Sequence, residues 1–161
     1  MDKRIDSRSI IKIFQLNALG GKKTPHGVSN PVFRRNDDGN IEVAAFIYLY
    51  KADELRSGKL KRPSRWITVD LKNTEHISEF SCLEKDFCDI ASDTVCELAP
   101  EENTIFSAEY SNQTLAIFDL VLKKYLVTGK FDKELNDAYM DMMLKMVSVG
   151  FKPFYRALNN V

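Results

Sequence analysis

The spacing of apolar and polar positions divides the chain into three zones. From Ser9 to Leu19, residues Ile10, Ile13, Phe14 and Leu16 recur near helical spacing, which predicts a short helix stopped by Gly20-Gly21. Residues 20–31 hold three of the seven glycines and two of the five prolines, and that stretch reads as a loop. Four strands follow. Val32–Arg35 and Ile41–Tyr50 flank Asn36-Asp37-Asp38-Gly39, where the glycine supplies the positive φ that closes a hairpin. Further on, Trp66, Thr68 and Asp70 alternate with Ile67, Val69 and Leu71, so the two sets face opposite sides of a strand from Arg65 to Lys72. A turn at Lys72-Asn73-Thr74-Glu75 leads into a last strand from His76 to Cys82. The connector from Lys51 to Pro63 holds one helical turn at Ala52–Arg56.

From Glu84 onward the period lengthens. Phe87, Ile90, Val95 and Leu98 fit a short helix ending before Pro100. Leu115, Phe118, Leu122 and Tyr125 mark an amphipathic helix between Thr104 and Val127, ended by Gly129. Asp132 is placed to cap a helix running through Val149, and Pro153 to start a short one reaching Leu158. The predicted class is α+β: an N-terminal helix, an antiparallel four-stranded meander, then C-terminal helices packed on one sheet face. With 161 residues and no repeat or low-complexity tract, residues 1–161 are expected to form a single domain.

Composition adds little to this frame. An apolar fraction of 44% and a charged fraction of 29% describe an ordinary globular chain and exclude wholesale disorder. The N-terminal residues show no secretory signal, and the longest apolar run, Val43–Tyr50, is far short of a membrane span. Cys82, Cys88 and Cys96 lack the close spacing of a zinc or redox pair and read as reduced, mostly buried thiols. A cytoplasmic protein is the expectation.

Charge changes the picture, because the zero net total hides an uneven distribution. Residues 1–83 carry a net charge of +5, residues 84–119 a net of −8, and residues 120–161 a net of +3. Within the acidic third, Asp86, Asp89, Asp93 and Glu97 would share one side of a helix, with Glu101 and Glu102 beyond. Such a row steers a cationic partner toward itself and speeds association.

Catalytic chemistry is poorly represented. Gly20-Gly21-Lys22-Lys23-Thr24 fails as a phosphate loop, since Leu16 stands where the first glycine belongs and Lys23 where the hydroxyl belongs. The two histidines, His26 and His76, form no metal-ligand spacing, and Cys88 and Cys96 stand among acids that disfavour a thiolate. No calcium-loop pattern occurs, so neither a metal site nor a cofactor is expected. The methionines Met140, Met142, Met143 and Met146 read as adaptable core packing. One nucleic-acid candidate exists: Lys59, Lys61, Arg62 and Arg65 stand beside Trp66, within a segment 46–66 that also bears Phe46, Tyr48 and Tyr50. The three aromatics at period two equally describe a sheet face buried under helices.

The expectation is therefore a non-catalytic protein-interaction module. Its most concrete form is a small inhibitor or immunity-type protein whose acidic face, Asp86, Asp89, Asp93, Glu97, Glu101 and Glu102, neutralises a basic, nuclease-like toxin. RNA or single-strand binding through segment 46–66 is the alternative, and a small enzyme with an unrecognised pocket is the third.

Overall fold

The structure is a computed structural model that describes residues 5–49, 59–61, 65–81, 95–97, 108–147 and 151–161. Helix α1 spans Ser7–Asn17. The Asp6 carboxylate accepts from the Ser9 amide, and the Ser9 hydroxyl accepts from the Asp6 amide, so two of the free N-terminal donors are satisfied reciprocally. A tight turn at Ala18–Gly21 ends the helix.

Strands β1 (His26–Val28), β2 (Val32–Arg35), β3 (Ile41–Leu49), β4 (Lys59–Lys61), β5 (Arg65–Asp70), β6 (Ile77–Ser81) and β7 (Val95–Glu97) follow. Helices α2 (Ala108–Thr128), α3 (Lys133–Leu144) and α4 (Lys152–Leu158) complete the α+β chain. The main antiparallel sheet has the order β1-β3-β5-β6, with β2 also pairing β3, so five strands take part. The four anticipated strands are all present. The extra one, β1, falls where the glycine and proline content reads as loop. It is only three residues long, too short for any period to register.

Beta-3 is the organiser, since β1 and β2 share one of its edges. Val28 pairs with Ile47 but Val32 with Ala44, which leaves one surplus residue on the outer side, a bulge. Ser29 absorbs it: its amide donates to the Phe46 carbonyl at 2.9 Å, while its hydroxyl accepts from the Phe46 amide at 2.9 Å. Gly27 lies under the Tyr48 ring, and a β-carbon there would come within 2.1 Å of it.

The sheet faces differ. Phe33, Val43, Ala45, Ile67 and Val69 share one face by register, fully buried. Phe118 of α2 stacks on Phe33 at 4.4 Å between ring centroids. Asp119 anchors α1 to α2 by accepting from the Ser7 amide and hydroxyl. On the other face, Phe46 and Tyr48 lie beneath Phe151 and the α4 residues Phe154 and Tyr155. Phe46 thus belongs to the core and Tyr48, half-buried, packs against it, as one reading of the period-two aromatics holds, whereas Tyr50 is outside the described residues.

Two expectations need correction. Residues Val95–Glu97 do not continue a helix: they form β7 and pair antiparallel with β4, Lys59 opposite Glu97 and Lys61 opposite Val95. The connector likewise contains a strand, Lys59–Lys61. Val95-Cys96-Glu97 is short and carries a β-branched residue, and long-range pairing, invisible to helical spacing, decides its state. Asp132 caps α3 as expected, accepting from the Leu135 amide at 3.1 Å.

Candidate functional site

The half of the second sheet face not covered by Phe151 and α4 forms a groove with a volume of about 540 Å³. Alternation builds it. In β3 and β5, Glu42 opposes Asp70 and Phe46 opposes Trp66, so these four residues share one face with Thr68, Ser78 and Phe80. Arg34, paired with Glu42 across β2 and β3, joins them.

The charged groups reach the groove for local reasons. In the β2–β3 turn, the Asn36 carboxamide accepts from the amides of Asp38 and Asn40, and the Asn36 carbonyl accepts from Gly39. Gly39 takes φ +81, which suits glycine. Because Asn36 closes the turn, the Asp37 and Asp38 carboxylates are left to line the groove. At the β5–β6 turn, Asp70 accepts from the Lys72 amide at 2.8 Å, and His76 returns the chain to the ladder.

The floor is a cation on an aromatic ring. The Arg34 guanidinium carbon lies 3.7 Å from the Trp66 ring centroid, and the Arg34 Nε is 3.8 Å from the Glu42 carboxylate. Ala44, the residue between Glu42 and Phe46 on this face, leaves room for the arginine chain to cross. Burial pushes the Glu42 carboxyl above the usual carboxylate range, opposed by Arg34 and by a hydrogen bond from Asn36, with Asp70 and Asp37 adding to the upward push. Four carboxylates, Asp37, Asp38, Glu42 and Asp70, line the groove with the Arg34 guanidinium and His76, so acids outnumber bases there. Chemically, it offers acceptors to cations and repels phosphates.

Of the sequence-predicted residues, Trp66 alone among those described lines the groove. Asp86, Asp89, Asp93, Glu101 and Glu102 are outside the described residues, as are Arg62, Cys82 and Cys88. Glu97 is in β7, so a single helix face cannot carry Glu97 with the other three. Lys59 and Lys61 are in β4. Arg65 and Trp66, adjacent in sequence, point to opposite faces; Arg65 lies 3.7 Å from Glu79, and Trp66 is 2% exposed beneath Arg34. The structure therefore does not present Trp66 as a stacking platform beside Arg65.

Sequence reading missed the groove because its carboxylates come from the segment with net charge +5. The parity of Glu42 with Phe46, and of Asp70 with Trp66, was the available signal. Among the described residues, no group of three or more histidine, cysteine or acidic side chains could hold a metal ion. No helix among them is long and apolar enough to cross a membrane. No family model, curated protein or solved structure matches the chain.

Proposed function

We propose that this chain is a non-catalytic interaction module that binds a basic partner protein, and that the acidic groove on the open half of the sheet is its central contact surface. The observation that supports this reading is the convergence of Asp37, Asp38, Glu42 and Asp70 from separate turns and strands around one concave surface. Carboxylates arranged in a cleft stand in for nucleic-acid phosphates toward a cationic protein, and they raise its encounter rate. In its most concrete form the protein is a cytoplasmic inhibitor of the immunity type, covering the basic substrate cleft of a nuclease-like toxin. The acidic residues Asp86, Asp89, Asp93, Glu97, Glu101 and Glu102 are proposed as a further contact for the same basic partner.

The test begins with affinity capture from native lysate at low salt, followed by an assay of the captured protein for nuclease activity with and without this chain. Stoichiometric capture with loss of nuclease activity supports the inhibitor reading. Asp37→Lys/Asp38→Lys should then lower the association rate about tenfold or more at low salt and leave the dissociation rate nearly unchanged. Unaltered association in that variant, with its circular dichroism intact, would remove the groove from the account. Capture of RNA alone would replace the reading with the nucleic-acid one.

A further inference from the structure

The two outer edges of the main sheet are treated differently. Along β2, backbone groups that face outward are taken up by side chains. Tyr139 donates to the Pro31 carbonyl, Asn159 to that of Phe33, and Asn160 both accepts from the Arg35 amide at 2.7 Å and donates to its carbonyl at 3.2 Å. The Asn160 carboxamide thus imitates a neighbouring strand and closes the edge.

Beta-6 stands at the far end of the strand order. The Asp70 amide donates to the His76 carbonyl, and antiparallel ladders alternate, so Ser78 and Phe80 direct their backbone groups toward β5. Those of Ile77 and Glu79 point outward, and among the described residues nothing hydrogen-bonds to them. Ser78 and Phe80 also line the acidic groove, and Phe80 is 37% exposed. An open ladder therefore borders a cleft of opposite sign to a cationic chain.

We infer that β6 receives an extended segment of the basic partner as an added strand, with lysine or arginine at alternate positions lying over the groove. Main-chain bonds to Ile77 and Glu79 would set its register, and the carboxylates would select its side chains. Charge favours this occupant over a second copy of the chain, because edge-to-edge pairing would bring two acidic grooves together. The inference rests on the groove being the partner-binding surface, and it adds the mode of entry.

The probe is a capped, fluorescein-labelled octapeptide alternating lysine with valine, together with two versions N-methylated at one or the other alternate set of residues. Binding is read by anisotropy at low salt, and hydrogen exchange of the Ile77 and Glu79 amides by NMR. Strand addition predicts that one N-methylated version loses at least about tenfold in affinity while the other keeps it, and that both amides slow about tenfold at saturation. Equal binding by both versions without amide protection would overturn strand addition and leave the acidic-groove reading standing. Failure of the parent peptide to bind would also overturn it. The groove reading itself fails separately, if Asp37→Lys/Asp38→Lys does not slow association of the captured partner. A dimer on sedimentation that protects the same two amides without peptide would assign the edge to a second copy and overturn the proposed occupant.

Discussion

One sheet face is built in two different ways along its length. At one end, Phe46 and Tyr48 lie under Phe151, Phe154 and Tyr155, aromatic rings 4.7–6.2 Å apart that leave Phe46 only 1% exposed. At the other, the same alternation brings Glu42, Thr68, Asp70 and Ser78 to the lining of the groove, where charged and hydroxyl side chains take the place of the aromatic cluster. The border between them is the Arg34–Trp66 stack. The edges repeat the contrast, β2 closed by Asn159 and Asn160 and β6 open among the described residues. The covered half supplies stability, and the polar half, of equal regularity, is the one proposed for recognition.

The largest expected effect lies in the covered half. Phe46→Ala should cost about 3–5 kcal/mol in urea unfolding, since it empties the space beneath Phe151, Phe154 and Tyr155. A loss below 1 kcal/mol would mean that Phe151 and α4 do not hold this face shut. Uncapping the closed edge comes next. Asn159→Ala/Asn160→Ala should lose about 1–3 kcal/mol, from bonds worth roughly 0.5–1.5 kcal/mol each, and should raise self-association at high concentration. An unchanged sedimentation profile would sever the link between those amides and edge protection.

The open half should be nearly silent in stability. Asp37→Lys/Asp38→Lys should shift unfolding by no more than about 0.5 kcal/mol, because Asn36 and Gly39 rather than the two carboxylates close the turn. Its effect belongs to binding. If instead it unfolds the protein, the groove is structural and the contrast fails.

The smallest effect is a pH dependence. The Glu42 carboxyl is raised mainly by burial, so the folded state holds its proton more tightly than the unfolded chain does. Ionised Glu42 therefore detracts from stability above its folded pKa. That loss is relieved as pH falls through the raised value toward the usual 4.5. Glu42→Gln should be favoured relative to wild type at pH 7, with the advantage shrinking as pH is lowered. An advantage that grows on acidification would mean that Arg34 outweighs burial. Asp132 runs the opposite way, its carboxyl lowered by hydrogen bonds from Lys124 and the Leu135 amide. Its support for the α2–α3 corner is present above the usual 3.8 and lost as pH falls through its depressed value.

The sequence reveals the fold more fully than the site. Periods of two and of helical spacing locate the main-sheet strands from Val32 onward and helices α1 to α4, because each buries its apolar face against neighbours. Residues 26–28 and 95–97 are too short to show a period, and their pairing with Ile47–Leu49 and Lys59–Lys61 is a tertiary choice. The groove escapes a linear reading for a related reason. Glu42 and Asp70 are separated by a long stretch of chain, and only register places them opposite one another. Counting charge by segment leads instead to residues 84–119, where the described part contributes Glu97 in β7, Glu109 at the start of α2, and Asp119, engaged with Ser7.

The most direct measurement is the association rate of the captured partner as a function of salt, for wild type and Asp37→Lys/Asp38→Lys side by side. The account predicts a steep fall with salt for wild type, a slower and flatter curve for the variant, and convergence of the two at high salt. Identical curves for the two proteins at every salt concentration would contradict it.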